Sequence, residues 1–477
     1  MRSNYKSNST IQFKTLSREQ CDILHYATLE VLSDTGVIVQ EKRSLELLKK
    51  SGAFVNGNQV RIPPALVEKA ISTTPSSVAL YDRKGNRKMR LEGENFYFGP
   101  GPSTTYTIDP YTGERRYPKK QDTRNAAKII DALPNIDFAM DFGTIKDVPT
   151  EIADIHLLHA LLENTTKPII HWGFNAKNLE TIVDICLAVA GDLEELQKYP
   201  FISLFSTSNT PLQHSEEAIE KLVFTAEKNL PAIYVSAPMA GGTSPVTLAG
   251  TVIVALAECL SGLVIHQLVR EGAPFVMGGV PAPTDMNTMV MSYGNPEFNL
   301  MHAAFAEMAH YYKIPMWGTA GCSDSKALDE QSAIEATASI MMSAMSGANL
   351  IHDVGYLEGG TTSSAGQLVM CDEIIGFVKR MVRGVEVNDV TLALEVIKKV
   401  GPAGHFVTDE HTFNNFKREL WIPKILDKNQ YQVWCDKGKI TCGERAMEKA
   451  RYIIENHISE PLPEKAKVKI DAILDRL

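Results

Sequence analysis

Eight short apolar runs, each closing on small or polar residues, recur at intervals of roughly 30 to 42 residues: 96–101, 138–143, 168–173, 201–206, 232–236, 274–279, 315–321 and 349–355. Between them, residues 152–163, 179–190, 216–228, 248–270, 297–312 and 329–346 carry apolar side chains at the 3.6-residue period of a helix face. Strands that are apolar on both faces need both faces covered, so the alternation predicts an α/β fold with a parallel sheet clad in helices. Eight units favour a closed (β/α)8 TIM barrel over an open Rossmann sheet, and no GxGxxG follows any run.

The flanks break this rhythm. Ser17 and Gln20 form a capping box that opens a helix ending near Gly36, and a second helix is expected over 41–51. Asn56 and Gly57 predict a hairpin, Pro63 and Pro64 start a short helix, and strands at 78–81 and 88–91 flank a turn. Past Gly401 come helices expected over 413–420, 443–455 and 464–477. The predicted division is an N-terminal α/β extension (1–93), a catalytic barrel (94–400) and a C-terminal helical extension (401–477). Small α/β units of this kind commonly cap or dimerise a larger domain, and a homo-oligomer is expected.

Composition narrows the function classes. A net charge of −9 with no basic block argues against nucleic acid and anionic membranes as partners. The seven cysteines are scattered and lack a C-x-x-C pair, which predicts reduced thiols in a cytoplasmic protein. The N-terminal MRSNYKSNST has no apolar signal-peptide core. The most apolar stretch, 248–269, contains Glu258, Ser261, His266 and Gln267, so it is expected as a buried helix and not a membrane span.

Barrel active sites lie at the C-terminal ends of the strands. The fifth run leads into PMAGGTSPVTLAG, where Gly241 and Gly242 allow close backbone approach, Ser244 is placed to cap and Pro245 to begin a helix. The alternative is an ordinary tight strand-to-helix connection. No run ends in a lysine suited to a Schiff base, and no H-x-H or H-E-x-x-H is present. His171, Cys322 and His352 can be placed as zinc ligands across the mouth, or as residues with only local hydrogen bonds. Tyr97, Phe142, Trp172, Phe174, Phe205 and Tyr356 can surround a quaternary ammonium by cation–π attraction, or simply fill the core. His352 and Glu358 in the eighth segment are unusually polar for a buried strand end, and burial of such groups is costly unless they are paired or bind a ligand.

The segments PMAGGTSPVTLAG, GCSDSKALDEQSAIEA (321–336), ANLIHDVGYLEGG (348–360) and GHFVTDEHT (404–412) resemble the trimethylamine methyltransferase family over essentially the whole chain. The resemblance implies a barrel that moves a methyl group from a methylamine to the cobalt of a separate corrinoid protein. The corrinoid then belongs to the partner, and no metal or tightly bound cofactor is expected here. Archaeal trimethylamine enzymes of the family carry pyrrolysine, whereas this sequence has only standard residues. That departure points to the branch acting on quaternary amines, with glycine betaine foremost and proline betaine or carnitine as alternatives. A quaternary ammonium leaves as a neutral tertiary amine, so it needs orientation and desolvation more than covalent activation.

On this basis His352 and Glu358 are the expected catalytic residues. Tyr97, Trp172, Phe205 and Tyr356 are expected around the cation, with Glu358 facing it. His352 and the Gly241–Gly242 loop are expected at a carboxylate tail, and Gln331 is a further candidate by its place in the matched segment. Two other readings differ in chemistry: a zinc-dependent methanol-type methyltransferase, and a non-catalytic betaine-binding barrel.

Overall fold

The computed structural model describes residues 11–477, so the polar N-terminal decapeptide lies outside the described residues. Seven of the eight expected strands form one parallel sheet. Its order is Tyr97–Phe98, Leu350–His352, Met316–Thr319, Phe275–Gly279, Ala232–Ser236, Ile202–Thr207 and Ile169–His171. Every neighbouring pair is parallel.

The second run departs from expectation. Residues 138–143 form no strand and make one parallel bridge, Ala139 to Ile169. Backbone bonds still join this segment to both edges of the sheet: Asp137 N donates to Phe98 O (2.6 Å), and Ile170 N donates to Ala139 O (2.9 Å). The Asp137 carboxylate accepts from Phe98 N at 3.0 Å, taking a place that a backbone carbonyl would hold in a regular ladder. Phe142 (φ 63°) and Gly143 (φ 148°) then turn the chain out of the extended region. The barrel closes through this irregular eighth stave.

The barrel interior is packed. The Trp317 ring meets Phe138 (5.9 Å between centroids) and Phe205 (5.7 Å), and all three lie among the strands. Helices Lys120–Ala132, Ala153–Asn164, Ala176–Ala190, Glu216–Glu227, Leu248–Val269, Pro296–Tyr312, Glu330–Ser346 and Ala365–Val382 surround the sheet. Leu248–Val269 is apolar enough in length and composition to cross a membrane, but most of it is buried inside the protein. Its Glu258 carboxylate accepts from Ser208 Oγ, Ser236 Oγ and Leu212 N, pinning the loops after the fourth and fifth strands.

That helix begins three residues later than the Pro245 start expected from sequence, with Thr247 as its N-cap. Before it, Met239–Ala240 pairs with Ala282–Asp285, which pairs in turn with Val290–Met291, forming a small sheet beside the mouth.

The N-terminal elements follow the expected pattern. The Ser17–Gln20 capping box opens Arg18–Glu30, and the chain runs through a π turn to Gly36. The Phe54–Asn56 and Gln59–Arg61 hairpin pairs with Val37–Val39, which is joined by Gln213–His214 from the loop after the fourth strand. The Val78–Tyr81 and Arg87–Leu91 hairpin lies near the N-terminal ends of the barrel strands, where Arg90 N donates to Tyr97 Oη at 3.1 Å. At the C-terminus, Glu410–Glu419, Cys442–Asn456 and Glu464–Leu474 match the expected helices. Asp389–Leu392, Leu394–Val400 and Tyr431–Asp436 are additional. One continuous apolar cluster includes Leu48, most of the barrel, and Ala446 and Ile470.

Candidate functional site

The eighth strand brings His352 to the C-terminal end of the barrel, 5% exposed. Its Nδ1–H donates to Gly318 O at 2.7 Å, with Thr319 Oγ1 at 3.1 Å, which leaves Nε2 as the bare nitrogen. The imidazole stacks on Trp317, 4.3 Å between centroids. Nε2 faces Asp353 Oδ1 at 3.4 Å. Burial holds His352 below the ordinary histidine pKa and pushes Asp353 above the ordinary carboxylate range. A neutral imidazole beside a protonated carboxyl satisfies both directions.

Asp353 holds a left-handed backbone, φ 71°. A Cβ on Gly101 would fall 1.7 Å from Asp353 Oδ1, so only glycine admits the carboxyl there. The Tyr293 phenol faces the same carboxyl. A second carboxyl, Asp141, is buried nearby and accepts from Ser103 N (3.1 Å) and Trp172 Nε1 (3.4 Å). Burial lifts it to about 6. Tyr356 lies close to both acids, its hydroxyl donating to Gly101 O and its ring tilted against Phe142 at 5.5 Å. Among the described residues, no lysine or arginine pairs with Asp141 or Asp353.

Donors without acceptors lie close to His352. Trp317 Nε1 and both ring nitrogens of His302 are buried with no hydrogen-bond partner. His302 projects from Pro296–Tyr312, packs on Phe298 (4.2 Å between centroids) and is held to a pKa of about 3 by burial, with His352 adding to the effect. A neutral imidazole still offers one N–H, and the indole N–H is a donor only. The mouth thus combines buried acids that lack a cation with buried donors that lack an anion. Each is costly to leave unmatched.

The segment 321–336 builds the support behind this arrangement. Asp324 accepts from Ser292 Oγ (2.5 Å), Tyr293 N (2.9 Å) and Gly294 N (2.9 Å), fixing the loop that carries the Tyr293 phenol. Glu335 in turn accepts from Ser323 Oγ (2.6 Å) and Asp324 N (2.8 Å).

Several expected roles are corrected. Glu358 does not face a cation pocket: Arg115 binds it bidentately through Nε (2.8 Å) and Nη2 (3.0 Å), and the guanidinium stacks on Tyr106. Burial would raise the Glu358 pKa, but the hydrogen bond from the Thr362 hydroxyl and the Arg115 pairing hold it below its ordinary value. The Gly241–Gly242 amides are not free for a carboxylate, since Gly241 N donates to Ser244 O (3.0 Å) and Gly242 N to Met239 O (2.9 Å). Tyr97 starts its strand, and its hydroxyl is engaged at the end of the barrel opposite the mouth. Gln331 is exposed and donates to Glu335 Oε1 at 2.9 Å, so it buttresses the loop from outside.

Trp172 stands at the mouth through its bond to Asp141 and packs edge-on against Phe174 (4.8 Å). Phe205 reaches the interior against Trp317, and Tyr356 lies within the acid cluster. The zinc set fails. His171 Nε2 is bonded to Asp154 O (2.9 Å), and among the described residues no group of three His, Cys, Asp or Glu side chains is placed to hold a metal ion.

Asp141, Tyr293, His302 and Trp317 escaped the sequence reading as site residues. Trp317 lies mid-run and His302 on the apolar face of a helical pattern, where core packing is the ordinary inference. A histidine on an otherwise apolar face was the available signal.

Residues 2–476 match the protein family Trimethylamine methyltransferase (MTTB). The chain is 34% identical over 464 residues to the trimethylamine methyltransferase MttB of Desulfitobacterium hafniense strain DCB-2, covering 96% of this chain and 93% of the relative. It is 29% identical over 467 residues to the glycine betaine methyltransferase of D. hafniense strain Y51, covering 97% of each. The crystal structure of the Methanosarcina barkeri monomethylamine methyltransferase MtmB superposes with a TM-score of 0.54 at 14% identity, covering 99% of this chain and 90% of that one, and so shares the fold.

Proposed function

The chain belongs to the trimethylamine methyltransferase family, and from that premise we propose that it transfers a methyl group from a quaternary amine, foremost glycine betaine, to Co(I) of a separate corrinoid protein. The observation that carries the substrate class is the pairing of unmatched groups at the mouth. Asp141, ionised once the pH passes about 6, seeks a cation, while Trp317 Nε1–H and the His302 N–H seek an anion. A small zwitterion satisfies both sides, and the relative named for glycine betaine accords with it.

In this mechanism the ammonium sits against the two carboxyls and the rings of Tyr356 and Phe142, where burial strengthens each electrostatic contact. The carboxylate tail lies toward Trp317 and His302. Holding both ends points one N-methyl out of the mouth toward the acceptor brought by the partner protein. The C–N bond breaks as the carbon bonds to cobalt, and the bonding pair stays on nitrogen. Dimethylglycine leaves as a neutral amine, so no residue has to protonate it during the transfer. Its loss of positive charge weakens its hold on Asp141, which favours release. Arg115 and Glu358 neutralise each other at the rim and take no part.

All seven cysteines are free thiols, which suits the reducing cytoplasm. The reaction is tested by following N-methyl signals of glycine betaine, proline betaine, carnitine and trimethylamine by proton NMR, with a reduced corrinoid protein as acceptor. Conversion of one betaine to its demethylated amine supports the proposal. Binding of betaines with none consumed would instead identify a non-catalytic binding barrel.

A further inference from the structure

Apart from the acid cluster, one lysine is seated between two histidines. Lys120 opens helix Lys120–Ala132, and its Nζ lies 3.0 Å from His156 Nδ1 and 3.4 Å from His159 Nδ1, both on helix Ala153–Asn164. An ammonium has only protons to give, so both Nδ1 atoms accept and each ring carries its proton on Nε2. His159 Nε2 then faces Glu163 Oε1 at 3.4 Å. The neighbouring carboxylates are spent elsewhere: Asp147 accepts the Lys120 backbone N–H (2.8 Å), and Glu163 pairs with Arg124 (3.2 Å). Among the described residues, no carboxylate pairs with the Lys120 ammonium.

Other lysines are held differently. Lys84 and Lys399 stand open to solvent, each paired with a carboxylate, Glu460 at 2.9 Å and Asp409 at 2.8 Å. The bond to Asp409 holds Lys399 above the ordinary lysine range. Lys167 Nζ donates to three backbone carbonyls, Ile130 O, Leu133 O and Ile136 O, none of which can take its proton. Lys120 is half-buried, with bases alone as partners. Burial, with the Arg124 charge adding to it, holds its amine below the ordinary range. Desolvation beside another cation is a setting that makes a lysine nucleophilic.

We propose that Lys120 is an acylation site, taking acyl groups from acyl phosphates or acyl thioesters with its own histidines as the base. Aminolysis of an activated acyl group needs an uncharged amine and a base for the proton that the nitrogen then sheds. Lys120 Nζ attacks the acyl carbonyl carbon and the N–C bond forms. The bond to phosphate oxygen or thioester sulfur breaks, and its electron pair leaves with that group. The proton passes along the existing line to His156 Nδ1 and on to solvent. Burial and the Lys120 charge hold that imidazole to about 4. Acylation removes the charge, so the ring gains basicity as the proton arrives. The amide that remains has one N–H and cannot serve both imidazoles. It loosens the tie between the two helices beside the loop that follows Asp141, where Lys146 N donates to Pro118 O at 3.0 Å.

Acetyl phosphate and the full purified chain test the proposal, with acetylation at each lysine followed by peptide mass spectrometry. Lys120 should acetylate about tenfold faster than Lys84 and Lys399 although it is less exposed, and its rate should rise at a lower pH. In His156→Gln/His159→Gln the amide oxygens still accept from Nζ but take no proton. That variant should slow Lys120 by at least about tenfold and leave Lys84 and Lys399 unchanged. Circular dichroism and the melting temperature establish that the variant is folded, and the pH profile of the wild type needs no variant. Lys120 acetylating no faster than Lys84 and Lys399, a shared pH onset for the three, or a folded double variant with an unchanged Lys120 rate would overturn it. Neither a methylated amine nor a corrinoid protein enters the experiment, so its outcome is independent of the proposed reaction.

Discussion

Asp324 accepts the backbone N–H of Tyr293 at 2.9 Å, and the Tyr293 phenol faces Asp353. A motif residue on the loop after the seventh strand therefore fixes a side chain from the loop after the sixth against a carboxyl from the end of the eighth. Glu335 steadies Asp324 from behind. The segment 321–336 acts by positioning.

Asp324→Asn puts an amide donor where three donors converge. One of them is left unmatched, and stability falls by about 1–3 kcal/mol. Methyl transfer falls by roughly 10–100-fold in kcat/KM as Tyr293 loses its place. Chemical denaturation and steady-state kinetics check the two halves. Unchanged kinetics would separate the motif from the site.

Asp141 gives a pH signature. Burial raises it to about 6 from an unfolded value of 3.8, so the folded protein favours the protonated form. The associated stability is fully present below the unfolded value and lost as pH rises through 6. The difference is about 3 kcal/mol. Asp141→Asn should flatten this fall between pH 4 and 7. A bound cation should oppose it, so glycine betaine raises the melting temperature more at pH 7.5 than at pH 5. Equal shifts at both pH values would remove Asp141 from the cation site.

Trp317→Phe keeps the stack on His352 and deletes the unpartnered indole N–H. Stability should change by less than about 1 kcal/mol, since an unmatched donor is removed. The KM for glycine betaine should rise about tenfold, the worth of one hydrogen bond to a carboxylate. Binding of tetramethylammonium, which has no tail, should not move. Calorimetric titration of both ligands separates tail recognition from simple packing.

Glu358→Gln tests the opposite expectation. The pair with Arg115 is partly exposed, with side chains 29% and 41% accessible, and such pairs contribute about 0–1 kcal/mol. Activity should stay within about threefold of wild type. A hundredfold loss would return Glu358 to the reaction.

Much of the architecture was legible because it is periodic. Seven of the eight apolar runs are strands, and the helices between them lie within a few residues of their expected bounds. The second run failed because the Asp137 side chain replaces a backbone acceptor, a substitution that hydrophobicity cannot register. The late start at Leu248 arises because Met239–Ala240 first finds a partner strand in Ala282–Asp285, far along the chain. His352 was legible as polarity out of place. Tyr97 was misplaced because nearness to a run does not say which end of the barrel a ring occupies. Arg115 and Glu358 are 243 residues apart, and no local pattern announces such a pair.

The central measurement is the absorbance of a reduced corrinoid protein as amines are added one at a time with catalytic enzyme. Glycine betaine should convert Co(I) to methyl-Co(III), and trimethylamine should leave the spectrum unchanged. Methylation by trimethylamine and none by any betaine, with the same competent partner, would contradict the quaternary-amine assignment.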